Sequence, residues 1–483
     1  MADTQVQVND VSLTDGQSAV WGGAMTQAMR LHLLAGLEGT GLATVEVANS
    51  ETIAQAVRRG ENPWQYLDLV RHQAPGLALR TCLNVMTEHG RKGGDVLTGD
   101  VINGWINELA GRGIAEIVFI DPLADMARLK AAFGAAATQG VTATGTVIYA
   151  GDSTSDADYA AQAKALTKAG ASAVMLRDEA GLLSADTVAT LIPALKKALA
   201  GVPLTLHTTC TTGLGPKAAG NTVQLGVDGI DTALPALANG GSAPSSVNLA
   251  TSMAAIDIQL AGPNTDALKV ANAVAQDIAD SQGFDAATPW GFDLAPYVHK
   301  LPGTVAAWAM HAMTSHGLRV AKLHEFAHEC ERVRADIGSP PMVSPFARGV
   351  AEQAMANLTG GARYNEICPL IRRIVQGVYG GVSGVDADLL AWLGAVEPQE
   401  ASTLADLRQS APGASDREHL LQVISGCPAA QQPAPAKLAD IVYRQKTPAE
   451  HLAEGAKARV AKYGTVHITG PGIDIRETHG GAA

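Results

Sequence analysis

The segment LTLHTTCTTG (204–213) decides the fold. A short apolar-rich run, 204–206, ends in His207 and then in a polar turn closed by Gly213. A strand that delivers a polar side chain at its C-terminal end and then turns is the repeating unit of a (β/α)8 barrel, whose chemistry sits at that end. A metal site built this way shows two histidines as His-x-His. Here the second position is Thr209.

Reading outward, the flanking segments fit the same unit. ADTVATLIPALKKALAG (185–201) carries apolar residues three and four apart and predicts a helix. The same holds for ADYAAQAKALTKAG (157–170). Strands are predicted at 6–13, 43–48, 77–85, 115–121, 142–150, 172–178, 203–209 and 229–234, with helices between them. Eight strand–helix repeats over about 240 residues predict a closed TIM barrel, with a doubly wound open sheet as the alternative. The predicted strand ends carry Asp15, Glu46, Asn84, Asp121, Tyr149, Arg177, Asp178, His207 and Thr209, a polar set on otherwise apolar strands.

Three domains are expected: the barrel over 1–262, a mainly helical domain over 263–400, and a linker with a C-terminal arm over 401–483. In the helical domain SPPMVSP (339–345) breaks the pattern before a helix over 346–358. In the arm, the Pro/Ala-rich stretch 427–438 precedes a basic helix predicted over 448–464 and a polar, Gly-rich tail.

The chain has 483 residues, 47% of them hydrophobic and only 4% aromatic, so the core is mainly aliphatic. A formal net charge of −12 argues against nucleic acid or an anionic membrane as the main partner. Five scattered cysteines without a CxxC predict neither a disulfide framework nor a zinc knuckle. The N-terminus lacks a basic region followed by an apolar core, and no run approaches a membrane span, so a cytoplasmic protein without membrane insertion is expected.

Several segments, in order over roughly residues 8–400, resemble the carboxyltransferase subunits of biotin-dependent enzymes. These include pyruvate carboxylase, the oxaloacetate decarboxylase α chain and the central subunit of methylmalonyl-CoA transcarboxylase. LTDGQS (13–18) is similar to the family's Leu-Arg-Asp-Ala-His-Gln-Ser, and TVEV (44–47) with ENPWQYL (61–67) to its Val-Glu strand and Asp-Pro-Trp helix start. GTVIY (145–149), LRDEAGLL (176–183), LHTTCTTG (206–213), GVDGIDTA (226–233), LPGT (301–304) and PPMVSP (340–345) follow the family's remaining signatures. The resemblance implies a barrel capped by a helical domain, a homodimer, a biotin carboxyl carrier protein and a biotin carboxylase subunit. It also implies a divalent metal such as zinc, cobalt or manganese. No Met-Lys-Met stands in the chain, so biotin is expected on the separate carrier.

The resemblance also locates the departures. The family's metal ligands are an Asp, a carbamylated Lys and two His; they fall on Asp15 (with a one-residue gap in LTDGQS, or Thr14 without it), Arg177, His207 and Thr209. Arginine cannot be carbamylated as lysine is, and threonine is a poor ligand, which leaves Asp15 and His207 as metal candidates. The substrate-carboxylate Arg of strand three falls on Asn84, and the proton-shuttling Ser/Thr near Ala307. Arg177, permanently charged and planar, is the candidate to replace the metal; a salt bridge that plugs the site is the alternative. Gln17 and Tyr149 complete the catalytic candidates, and Asn84, Thr209 and Asp178 are the substrate-binding ones. HEFAH (324–328) also fits the zinc-binding His-Glu-x-x-His pattern, against a plain surface helix.

The expected function is transfer of CO2 between carboxybiotin and a small enolisable or amide-like substrate, at an altered metal site. An aldol-type lyase on the same barrel and a non-catalytic scaffold subunit are the alternatives.

Overall fold

The computed structural model describes residues 6–87, 95–151, 154–285, 291, 294–315, 323–379, 384–396, 416–427, 436–437, 441–444, 465–470 and 473–478. Eight parallel strands close a barrel: β1 (Gln7–Asp10), β2 (Thr44–Asn49), β3 (Leu79–Asn84), β4 (Ile114–Ile120), β5 (Thr142–Ile148), β6 (Ala173–Asp178), β7 (Leu204–Thr208) and β8 (Gly229–Thr232). Each overlaps a predicted strand. Closure is made by β1 against β8, in register from Gln7 opposite Gly229 to Asp10 opposite Thr232, which excludes the open sheet.

The helices start where the sequence supplies caps. Asn49, Asn62, Thr98, Ser155 and Ser184 each accept a backbone N–H of the first turn, and Asn62 is followed by Pro63, whose missing N–H is no loss there. Gly170, at φ 106°, ends the helix Asp156–Ala169 in the left-handed conformation that glycine adopts without strain. Between β1 and the following helix the chain makes a buried π-helical turn, Ser12–Gly16, a form frequent at functional sites. This turn aims Asp15 at the barrel mouth.

The described residues between 294 and 396 are mainly helical and build a second hydrophobic cluster around Phe326, Val350, Ala354 and Ile371. Met86 and Val96, from a short antiparallel ribbon rising off the barrel (Met86–Thr87 with Asp95–Val96), join that cluster and tie the two parts together. Arg373 adds an ion pair to Asp95 at 2.9 Å.

Three described pieces of the expected arm, at 417–425, 436 and 443, lie against the barrel. Helix Arg417–Ser425 packs on helix Ser50–Arg58 and adds Leu420, Leu421 and Ile424 to the barrel's own core. Further along, Ala436 exchanges two hydrogen bonds with Gln65, and Tyr443 stacks on His32 at 5.0 Å. The predicted basic helix over 448–464 falls outside the described residues. The tail forms an antiparallel hairpin, Thr465–Gly470 with Ile473–Thr478. Among the described residues no helix is long and apolar enough to cross a membrane.

Candidate active site at the barrel mouth

The barrel interior is polar near its centre. Arg80 on β3 is fully buried and pairs with Asp231 on β8 through two bonds of 2.8 Å, with Glu46 on β2 at 3.2 Å. A planar guanidinium suits such a two-pronged bond. Burial pushes the Asp231 carboxyl up, but Arg80 and His207 more than offset this and hold it well below the usual carboxylate range. Burial outweighs Arg80 and the more distant Arg177 at Glu46, and lifts its carboxyl to about 7.

From this layer a chain of charged groups climbs to the mouth. His207 Nδ1 faces Asp231 Oδ2 at 3.0 Å; because Asp231 is ionised, Nδ1 carries the proton and donates. His207 Nε2 lies 3.2 Å from Asp15 Oδ2, without the alignment of a hydrogen bond. Asp15 Oδ2 accepts from Arg177 Nη2 at 2.9 Å, and its Oδ1 accepts from Asn49 Nδ2 at 3.2 Å. Arg177 Nε is bonded to Glu179 Oε1. Burial works against the Arg177 cation, but Glu179 and Asp15 reverse this and fix the charge. Among the described residues, Arg177 Nη1 meets only the thioether of Met175, at 4.0 Å, a weak acceptor.

Above this floor lies a cavity of about 910 Å³. Asp15, Asn49, Cys82, Asn84, Arg177 and Glu179 form its barrel side. Its far side comes from the helical part, where Ala307 stands beside Thr304 and Trp308, and Ser344 follows Val343. The structure thus brings Asp15, Asn84 and Arg177 together at one wall, with His207 directly behind Asp15.

The other expected site residues lie off that wall, each for a visible reason. Gln17 is fully buried and braces its own loop, accepting from Met25 N at 3.3 Å and donating to Ser18 Oγ at 3.0 Å. Tyr149 packs against Tyr159 with centroids 5.5 Å apart, and burial lifts its hydroxyl to about 12. Asp178 caps the loop after β6, accepting from Leu182 N at 2.9 Å, Leu183 N at 3.0 Å and Thr208 Oγ1 at 2.9 Å. The Thr209 hydroxyl donates to Glu179 O at 3.1 Å and faces Thr211. Asn84 reaches the wall, but its side chain is engaged at both ends: Nδ2 donates to Ser344 O at 2.5 Å and Oδ1 accepts from Met86 N at 2.9 Å. It fastens the helical part to β3.

Asp15 and His207 are the residues expected as metal ligands, and here Asp15 Oδ2 is engaged by Arg177. A divalent ion at Asp15 Oδ2 would sit against the Arg177 guanidinium, and among the described residues no group of three or more His, Cys, Asp or Glu could hold a metal. The donor set present does not fit the family's metal. His324 and His328 lie on helix Leu323–Asp336, and His328 meets His299 edge-on with centroids 5.6 Å apart; they too belong to no such group.

Sequence reasoning passed over Glu179, Arg80 and Asp231. Asp231 was within reach, since it stands in GVDGIDTA (226–233) one strand from His207. Arg80, inside the apolar run LALRTCLNV (77–85), was the other available signal.

A closed parallel barrel with a helical cap and a charged floor at the strand ends defines the class: an α/β barrel whose fold matches that of carboxyltransferase domains. The chain is similar in sequence to subunits of biotin-dependent carboxylases and carboxyltransferases. It is 24% identical over 385 residues to a pyruvate carboxylase subunit from Methanocaldococcus jannaschii, covering 78% of this chain and 66% of that one. It is 24% identical over 386 residues to the 2-oxoglutarate carboxylase large subunit of Hydrogenobacter thermophilus, covering 79% and 58%. In fold it matches the carboxyl transferase domain of Rhizobium etli pyruvate carboxylase, solved with pyruvate and biocytin, with a TM-score of 0.78 at 20% identity over 88% of this chain and 76% of that one. The chain thus spans about two thirds or less of the length of the first two relatives. No family model matches it.

Proposed function

We propose that this chain is a carboxyltransferase subunit that moves a carboxyl group between carrier-borne biotin and a small enolisable or amide-like substrate, with Arg177 in the place of a metal ion. The barrel, 1–262, carries the chemistry; the helical domain, 263–400, roofs it; the arm, 401–483, follows. The assembly expected around it is a cytoplasmic homodimer with a biotin carboxyl carrier protein and a biotin carboxylase subunit. The family also implies a metal, which the residues present do not accommodate. Biotin, when bound, gives up or takes up the carboxyl group at its ureido nitrogen. A cavity of about 910 Å³ has room for its head beside a small substrate.

The observation that carries the reading is the Arg177 guanidinium, held at the cavity floor by Asp15 and Glu179 with Nη1 unclaimed by a strong acceptor among the described residues. A fixed, water-poor cation aimed at a carbonyl oxygen stabilises the charge that grows there as an α-proton leaves. Asp231 holds His207 in one orientation behind that cation through its Nδ1 hydrogen bond. The same two ion pairs on Arg177 favour a second reading, a scaffold subunit whose site is plugged by its own arginine.

The test is hydrogen–deuterium exchange at the α-carbon of carbonyl probes with free biotin present, and metal analysis of the same unchelated sample. Exchange without stoichiometric metal is expected, falling on the order of 100-fold in Arg177→Met. Near-stoichiometric zinc, cobalt or manganese would overturn the arginine-for-metal reading. A folded protein exchanging no probe would select the scaffold.

A further inference from the structure

The charge balance of the cavity points to its ligand. Among the described residues its wall carries Arg58, Arg177 and Arg348 against Asp15, Glu51, Glu179 and Asp285, one more carboxylate than guanidiniums. Each of the three cations is already paired. Arg177 lies between Asp15 and Glu179; Arg58 Nη2 meets Glu51 Oε1 at 3.2 Å; Arg348 Nε meets Glu352 Oε1 at 2.8 Å and its guanidinium lies 3.9 Å from the Trp308 ring centroid. Asn84, the polar side chain on β3, has both ends of its amide engaged within the protein. A carboxylate entering here would meet guanidiniums already neutralised by these carboxylates, or would break one of their ion pairs, and either outcome is unfavourable.

The rest of the wall suits a different ligand. Val20, Trp21, Phe284, Val305, Trp308 and Met342 give it an apolar flank, with Trp21 and Phe284 packed at 5.0 Å between centroids. Polar groups that can serve a neutral carbonyl remain: Arg177 Nη1 at the floor, and Ser18, Ser50 and Thr304 along the wall. We infer that the cavity takes a neutral acyl compound, an amide or ketone whose reacting carbonyl bears no adjacent carboxylate and whose apolar substituent lies against Trp21, Phe284 and Trp308. This deepens the function proposed above and rests on reading the cavity as the substrate site. It separates the chain from an enzyme for 2-oxo acids, because a 2-oxo acid places its carboxylate beside the carbonyl that Arg177 would hold.

The experiment is calorimetric binding of a matched pair, 2-oxohexanamide and 2-oxohexanoate, to the full chain. The amide is expected to bind at least about tenfold more tightly, as a difference of one ill-placed charge predicts. Glu179→Gln, which removes one carboxylate from Arg177, is expected to narrow that ratio by raising affinity for the acid. Asn84→Arg, which adds a cation on β3, is expected to do the same and serves if Glu179→Gln does not fold. Equal or tighter binding of the acid by the unaltered chain overturns the inference, and so does an unchanged ratio in a folded variant. Deuterium exchange on the bound probes keeps the two readings apart. Tight amide binding without exchange sinks the transferase and leaves the ligand class standing; exchange on the acid alone sinks the ligand class and leaves the transferase.

Discussion

Asp231→Leu should be among the most damaging single substitutions in the barrel. Its carboxylate is fully buried and accepts from four groups: Arg80 Nη1 and Nη2 at 2.8 Å each, Asn9 Nδ2 at 3.1 Å and His207 Nδ1 at 3.0 Å. Its loss leaves the Arg80 guanidinium, itself fully buried, with Glu46 at 3.2 Å as its remaining close carboxylate. Breaking a buried pair from one side costs about 3–5 kcal/mol, because the remaining charge keeps its desolvation penalty and loses its compensation. Replacing both partners by apolar residues removes that charge. Arg80→Met/Asp231→Leu should therefore be less destabilised than Asp231→Leu, although Glu46 then loses its ion-pair partner. With its carboxyl already at about 7, Glu46 can meet that loss by staying protonated at neutral pH. Urea unfolding followed by circular dichroism on the native chain, both single variants and the double variant completes the cycle. The pair should show coupling of about 2 kcal/mol or more. If Asp231→Leu costs less than about 1 kcal/mol, or if the double variant loses the sum of the singles, the buried pair does not have the role assigned to it. The pH dependence is a further check. Asp231 is held below its unfolded value, so its contribution is present above pH 3.8 and is lost as the pH falls further.

Asp10 should behave in the opposite sense. Burial raises its carboxyl from 3.8 to about 7 despite the Ser12 amide and hydroxyl, so its contribution to stability is complete below 3.8 and is lost between there and about 7, at up to about 1.4 kcal/mol per pH unit. Asp10→Asn should flatten the native chain's decline over that window, and parallel curves would rule out the assignment. Gly181 has φ +65°, and a Cβ there would lie 2.5 Å from Thr209 O, so Gly181→Ala should lower stability by about 1–3 kcal/mol and shift the loop that carries Glu179; an unchanged urea midpoint would contradict this. Arg177→Lys/Thr209→His restores the ligand types that the family resemblance assigns to those positions. The double variant should take up a divalent metal that the native chain does not, as elemental analysis in bicarbonate buffer would show, and a metal-free variant would refute the placement of the ligand positions.

The parts of the chain legible in sequence were those whose physics is local. Eight strand runs separated by amphipathic helices require little beyond periodicity, and β1 closing on β8 follows once the count is eight. The polar strand ends were legible for the same reason, since a charged residue at the tip of an apolar strand contradicts its surroundings. What those residues bond was not local. Gln17, Asp178 and Thr209 are as polar as Asp15 and Arg177, yet they satisfy loop amides, carbonyls and hydroxyls away from the cavity wall. That distinction is set by side-chain direction over two residues of turn, which no spacing encodes. Glu179 shows the converse. It lies two residues beyond Arg177, where sequence reads it as the start of a loop, yet it binds Nε while Asp15, 162 positions away in the chain, binds Nη2. A guanidinium with a carboxylate on each of two edges stays charged and directional, but the cluster as a whole carries a net negative charge. That is the basis for proposing that the site, which in sequence reads as a metal centre with two ligands missing, takes a neutral carbonyl on one fixed guanidinium edge.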